Sequence, residues 1–194
     1  MSKRLNSNSI RIISGQWRGR RLPVLDSEGL RPSTDRVRET LFNWLMYDVS
    51  DANCLDLFAG TGALGLEALS RGAKSVQFVE ASSLVASALQ QNIAVLGLSE
   101  YAANVVRQDA RSYLSNSPTK PFDIVFLDPP FADDLLAQVI TALSRSAWLA
   151  DQALIYVEQA KKTDSAPVPS SWQLHREGKT GQSRYSLYVN QSNV

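Results

Sequence analysis

One cysteine, one histidine and two methionines are all that 194 residues contain of those types. A lone cysteine cannot close an internal disulfide, and with His175 as the sole imidazole no Cys/His metal site can be assembled. Cys54 lies in an apolar stretch, where a small buried hydrophobe is expected rather than a nucleophile. Long apolar runs are missing too. None nears the ~18 residues of a membrane span, and none follows Met1-Ser2-Lys3-Arg4 as a signal peptide would require. No spare apolar patch suggests a partner copy. The expectation is a cytoplasmic, metal-free monomer with no membrane contact. A content of 44% apolar residues over this length suits one globular domain with a substantial core.

Net charge is also small, at +1, but it is unevenly spread. Residues 1–40 hold nine Lys/Arg against four Asp/Glu, residues 41–160 hold six against thirteen, and residues 161–194 hold five against two. An acidic centre is thus flanked by basic ends. The N-terminal stretch carries no acid before Asp26. Clustered arginines with an interleaved Trp17 offer phosphate contacts and base stacking. The alternation of Ile10, Ile12, Trp17, Leu22 and Val24 predicts a strand pair, with Gly15 and Gly19 near its turn.

The centre carries two motifs. Leu55-Asp56-Leu57-Phe58-Ala59-Gly60-Thr61-Gly62-Ala63-Leu64-Gly65 runs from a strand through a glycine loop into a helix predicted over 63–71. Gly60, Gly62 and Gly65 fit G-x-G-x-x-G, which supplies a tight turn, close backbone approach to a ligand and close helix–strand packing. A second strand, Ser75 to Val79, ends in Glu80, twenty residues past the first glycine. An acid at that distance can accept from both ribose hydroxyls of an adenosine. A third strand-like stretch, Ala103 to Arg107, leads to Gln108-Asp109-Ala110, where Asp109 can accept from an adenine amino group. Asp56 chooses between cofactors. Two phosphates of a dinucleotide already bring negative charge to that turn, so a carboxylate there is of little use. A sulfonium with an amino-acid tail is favoured by it, which points to S-adenosylmethionine.

The second motif is Asp128-Pro129-Pro130-Phe131, closing the apolar run Ile124-Val125-Phe126-Leu127. That run reads as a buried strand, and two prolines end its ladder by fixing φ and removing donors. An extended geometry before Pro129 directs the Asp128 side chain. Carboxylate, carbonyls and an aromatic ring then sit together at a strand's carboxyl end. They suit an exocyclic amine on a flat base, with Phe131 stacking on the ring. The plainer reading is a strand-end turn in which Asp128 caps the next helix.

This order of motifs resembles the class I amino-methyltransferases, in which an Asp- or Asn-Pro-Pro-aromatic step binds the nitrogen to be methylated. Arg11 to Leu22, the stretch from Arg31 to Asn43, and the closing Gly178 to Tyr185 resemble the RsmD family, over about residues 10 to 190. Members are bacterial enzymes that methylate a guanine N2 of 16S ribosomal RNA. The resemblance implies a 30S subunit or its assembly intermediate as substrate. Phe131 stands where related enzymes often carry Tyr. Asp128, Pro129, Pro130 and Phe131 are the expected catalytic residues. Asp56, Phe58, Gly60, Gly62, Gly65, Glu80, Asp109 and Ala110 are expected to bind the cofactor. Arg11, Trp17, Arg18, Arg20, Arg21, Arg31, Arg36, Arg38, Lys179 and Arg184 are expected to face RNA.

Helices are predicted over 34–47, 82–96 and 135–144, a late strand over 153–157, and a closing antiparallel pair over 172–174 and 184–189. Val37, Leu41, Trp44 and Leu45 recur at helical spacing, and Trp44 is read as core. Alternating strands and helices from Asp51 onward imply a doubly wound, mainly parallel sheet of the Rossmann-like type. The expected division is a basic arm and hairpin over 1–30 and a catalytic core over 31–194. Three other functions are compatible with parts of this pattern. A DNA adenine-N6 methyltransferase shares the tetrad but usually needs a recognition domain. A protein-glutamine methyltransferase favours Asn at position 128. A non-catalytic ribosome-assembly factor has no use for Glu80, Asp109 and Asp128 together.

Overall fold

The computed structural model describes residues 9–24, 35–130, 135–145, 147–162 and 166–191. Its elements, in order, are β1 (Ser9–Arg11), β2 (Arg21–Pro23), α1 (Asp35–Trp44), β3 (Asn53–Asp56), α2 (Ala63–Ser70), β4 (Ser75–Glu80) and α3 (Ser83–Val95). There follow β5 (Ala103–Arg107), α4 (Ala110–Leu114), β6 (Phe122–Leu127), α5 (Leu135–Ser144), β7 (Leu149–Ala160), β8 (Trp172–Lys179) and β9 (Ser183–Asn190). Strand and helix alternate from β3 to β7, and the sheet has the order β5-β4-β3-β6-β7-β9-β8. β5 to β7 in that order are parallel, while β9 runs antiparallel to β7 and to β8. The chain therefore winds outward from β3 in one direction and returns to wind from β6 in the other. The carboxyl ends of β3 and β6 form the switch point, where open α/β sheets bind ligands.

Alternate residues of a strand face opposite sides, and each face here has its own apolar cluster. Cys54, Phe78, Ile124, Phe126 and Tyr156 pack with α1, α2 and α3. Leu55, Val79, Val125, Leu127 and Val157 pack with α4 and α5, around the fully buried Trp148. Phe42 of α1 approaches Phe126 at 6.0 Å, and Arg71 stands 5.0 Å over the Phe42 ring. Trp44 stacks on Tyr185 at 5.5 Å, as its reading as a core residue requires.

α2 is buried along its whole length, which follows from a sequence apolar on nearly every side. Its outer face is covered by the strand pair β1–β2, in which Ile10 pairs with Leu22. Glu67, with no exposed surface, accepts the Ile13 N–H at 2.8 Å, the Ser14 N–H at 3.0 Å and the Arg71 Nε–H at 2.7 Å. Ser70 donates its hydroxyl to the Ser14 carbonyl at 2.6 Å and accepts the Trp17 N–H at 3.1 Å. The basic strand pair is thus bonded to the body rather than a free arm.

Three elements differ from expectation. α4 was not legible, because five residues are too few to show a helical period. β7 runs to twelve residues instead of five, since its first four residues, Leu149 to Gln152, are half-buried or exposed and do not continue the buried apolar run. β8 extends to Lys179 along an exposed edge, where a polar sequence carries no alternation. The predicted capping of α1 by Ser33 or Thr34 lies outside the described residues.

Gly15 has φ +80°, and a Cβ there would stand 1.8 Å from the Ser70 carbonyl oxygen. Gly15→Ala should therefore cost about 2 kcal/mol in urea unfolding through strain and lost docking, and expose the 9–24 segment to protease. A stability equal to wild type would show that this contact does not hold the strand pair.

Candidate active site

Local sequence brings the glycine loop to the switch point. β3 ends at Asp56, and the Ala59 N–H reaches across to the Val79 carbonyl at 2.9 Å. Gly60 and Gly62 then take left-handed φ values of 50° and 78°, and α2 begins. Side chains of two neighbouring strands clamp this turn. The Asp56 Oδ2 accepts the Gly65 N–H at 3.0 Å from inside the protein, and the Glu80 Oε2 accepts the Gly60 N–H at 2.9 Å. The other Glu80 oxygen accepts the Ser82 N–H at 2.7 Å. Ser82 in turn caps α3 by accepting the Val85 N–H. Gly65 serves packing, for a Cβ there would lie 2.2 Å from the Phe78 ring.

Asp56 is 2% exposed, and burial pushes its carboxyl up to about 7; the Gly65 N–H opposes this and the Glu80 charge adds to it. Cys54, beneath it, is buried with its thiol pushed far up by burial first, then by the charges of Asp123 and Asp56. That is an inert thiol. Asp56 therefore holds the loop from below, at one remove from the pocket.

On the next strand, the pairing of Asp56 with Phe126 puts Asp128 two residues beyond, at the mouth of the switch point. Asp128 is half-buried, Pro129 buried and Pro130 exposed. The Asp128 charge reaches the buried Tyr156 hydroxyl of β7. Phe131 lies outside the described residues.

The remaining expectations divide. Asp109 stands at the carboxyl side of β5, but it is the N-cap of α4, accepting the Arg111 and Ser112 N–H groups and the Arg111 guanidinium. That guanidinium, ahead of the backbone donors, holds its carboxyl below the usual range. Ala110 is buried, and Phe58 packs half-buried against the α4–α5 cluster. Arg38 is a correction. It is 1% exposed and donates to Asp35 at 2.7 Å and to the Arg11 carbonyl at 2.9 Å, so it ties α1 to β1 and faces no RNA. Arg11 approaches Asp35 at 3.7 Å, while Arg18, Arg21 and Arg36 are exposed. Arg20 donates to the Val95 carbonyl at the end of α3. Trp17 is half-buried against the core. Arg31 is outside the described residues. Lys179 and Arg184 flank the β8–β9 turn, both within 3.6 Å of Glu177. The pairing of Ala160 with Ser183 sets that turn at the sheet's carboxyl edge, beside the site.

The turn of β1–β2 is elsewhere. It touches Ser70 and Val95, the last residues of α2 and α3, which lie at the sheet's amino edge. Only its other end, Pro23 and Val24, returns to the glycine loop beside Gly60 and Thr61. Another cleft, of about 350 Å³, opens at the amino edge between Asp48, Asp51, Asp123 and Asp151, remote from Asp128. Among the described residues no group of three or more His, Cys, Asp or Glu could hold a metal ion, and no helix is long and apolar enough to cross a membrane.

The donor set fits S-adenosylmethionine. Glu80 retains lone pairs beyond its two N–H bonds for ribose hydroxyls, the glycines leave backbone open, and the surrounding charge favours a cation. Fold and site together define an S-adenosylmethionine-dependent methyltransferase. Relatives sharpen this. A curated ribosomal RNA small subunit methyltransferase D of Escherichia coli strain K12 is 54% identical over 182 residues, covering 94% of this chain and 90% of that one. Its Haemophilus influenzae counterpart is 50% identical, covering 93% and 94%. The solved structure of yhhF from Escherichia coli matches with a TM-score of 0.90 at 50% identity, over 96% of this chain and all of that one. A family model described as conserved hypothetical protein 95 matches residues 10–189, and the chain belongs to the RsmD family.

Because the Asp56 carboxyl binds its proton more tightly folded than unfolded, the fold loses stability as pH rises from 3.8 toward 7, and no further above that. Asp56→Asn keeps an acceptor for Gly65 and removes the charge. In the free protein its melting temperature should gain on wild type between about pH 4 and 7 and hold that gain at pH 8. Parallel melting curves would refute a buried, proton-hungry Asp56.

Proposed function

We propose that the protein methylates the exocyclic N2 of a guanine in 16S ribosomal RNA, presented by the 30S subunit or an assembly intermediate, and that it works as a cytoplasmic monomer. The observation that carries this is the placement of Asp128-Pro129-Pro130 at the switch point, one strand from the clamped glycine loop. Naming of the relatives as small-subunit ribosomal RNA methyltransferases supports the RNA substrate.

When bound, S-adenosylmethionine supplies a methyl group already electrophilic on its sulfonium. The protein therefore has to position a competent nitrogen. Guanine N2 is a poor nucleophile, since its lone pair is delocalised into the ring. Asp128 and the Pro129 carbonyl each accept one N–H, which draws the amine toward pyramidal geometry and turns the lone pair outward. Asp128 then takes the proton shed after transfer and returns it to water. Unstacking the base costs a few kcal/mol, least in a single-stranded loop. Stacking on Phe131 returns ~1–3 kcal/mol. Lys179 and Arg184 hold phosphates beside this centre, and Arg18, Arg20, Arg21 and Arg36 hold phosphates farther along the same RNA.

The test is transfer of labelled methyl to 16S RNA from cells lacking the gene, both naked and in 30S particles, with nucleoside analysis. N2-methylguanosine is expected with wild type, and none with Asp128→Ala, whose cofactor binding should persist. Label on DNA adenine or on a protein glutamine instead would overturn the assignment, and loss of cofactor binding by wild type would leave an assembly factor. The phosphate contacts have their own readout. Arg18→Ala with Arg20→Ala should lower the slope of log affinity against log salt by about 2. An unchanged slope would remove the β1–β2 turn from the RNA surface.

A further inference from the structure

β7 lies beside β6, and Leu127 pairs with Val157. The residues that follow, Asp128 and Glu158, thus stand side by side on neighbouring strands, whose spacing is ~4.8 Å. Glu158 is 7% exposed, and its Oε2 accepts the hydroxyl of the fully buried Tyr156 at 2.7 Å. Across β7 on the other side, Glu158 pairs with Tyr185 of β9. That ring is itself fixed, with Trp44 stacked on it and Gly178 so close that a Cβ would meet it at 2.3 Å. A carboxylate is thus presented next to the expected amine site by side chains with no freedom to turn.

We propose that Glu158 reads the base: it accepts the ring N1–H of guanine while Asp128 takes the adjacent exocyclic amine. This rests on the function proposed above. Guanine offers N1–H and N2–H₂ side by side as donors, and only acceptors match that edge. Adenine and 2-aminopurine carry a bare N1 acceptor beside or near their amines, which a carboxylate repels. A carboxylate has about four lone-pair directions and can accept from more than one donor at once. Tyr156 can serve only as donor, because burial first, then the Glu158 and Asp128 charges, hold its proton well above the usual range. Its bond therefore orients the Glu158 carboxylate.

The experiment exchanges donor and acceptor on both sides. 16S RNA carrying guanine or 2-aminopurine at the modified position is assembled into 30S particles and offered to wild type, Glu158→Gln and Tyr156→Phe. Both purines present an amine at position 2, but they differ at N1. Wild type should prefer guanine by at least ~100-fold in kcat/KM, and Glu158→Gln, whose amide can donate to a bare N1, should narrow this to within ~10-fold. Tyr156→Phe should raise KM for guanine without bringing the two purines together. A binding readout needs no turnover: quenching of 2-aminopurine fluorescence, without cofactor, should show tighter binding to Glu158→Gln than to wild type. Melting temperature and cofactor affinity near wild type will show that the variants fold. If wild type methylates guanine and the ratio survives Glu158→Gln, the assignment to Glu158 fails alone. If wild type does not methylate guanine in particles, it fails together with the proposed function.

Discussion

A Cβ on residue 65 would stand 2.2 Å from the Phe78 ring, so α2 can lie this close to the sheet only where that atom is missing. The close approach lets the Gly65 N–H reach the Asp56 carboxylate beneath it. Burying that carboxylate is costly, and the cost appears as its raised affinity for a proton. What is gained is a fixed start for α2, and with it a fixed glycine loop. Glu80 then needs only the Gly60 and Ser82 N–H groups to hold the loop's other side and join it to α3. The covering strand pair depends on the same helix, because Glu67 and Ser70 are its anchors. A bound cation would relieve the buried charge.

The carboxyl edge of the sheet carries acids on four successive strands: Glu80 on β4, Asp56 on β3, Asp128 after β6 and Glu158 on β7. Their partners separate their roles. Glu80 and Asp56, on one side of the switch point, are engaged by backbone N–H groups of the loop. Glu158, on the other side, is engaged by a tyrosine hydroxyl, and the Asp128 charge is felt by that same tyrosine. The first pair shapes a turn; the second stands on neighbouring strands, with Glu158 buried and Asp128 half-buried. Such a row is unfavourable in isolation, since like charges repel, and it is consistent with ligands that bring hydrogen-bond donors and positive charge.

Much of this was legible in the sequence because it is local. The glycine spacing and the Pro-Pro step each encode a backbone event within one turn, and Glu80 follows at the end of the next strand, where it accepts the Gly60 N–H. What escaped was set by partners distant in the chain. Arg38 sits in a basic stretch, and only the fold shows that Asp35 and the Arg11 carbonyl claim it. Nothing in the sequence marks Glu67 as buried, yet it accepts the N–H groups of residues 13 and 14. Tyr156 lies within the apolar run Leu154-Ile155-Tyr156-Val157 and Glu158 directly after it, where nothing in the sequence marks which strands lie alongside. α4 escaped for a different reason: Asp109 caps it through Arg111 and Ser112, close in the chain, but five residues are too few to show a helical period.

The placement of basic residues bears on the kind of RNA that fits. Lys179 and Arg184 stand at the carboxyl edge near Asp128, whereas Arg18 and Arg20 lie where α2 and α3 end, at the amino edge. α2 alone separates these edges by about 12 Å, at 1.5 Å per residue over eight residues. Exposed Arg21 and Arg36 lie on elements that pass between. An RNA engaging all of them must lie along the α1–α3 side of the molecule while one nucleotide enters at the edge. A short isolated loop reaches the carboxyl edge only and forgoes the counterion release of the rest. An RNA whose backbone is already held in an extended shape meets the whole surface without paying its own ordering entropy. An RNA that meets both edges thus gains counterion release at the β1–β2 turn, and the gain comes from where that turn is docked rather than from anything in the catalytic step.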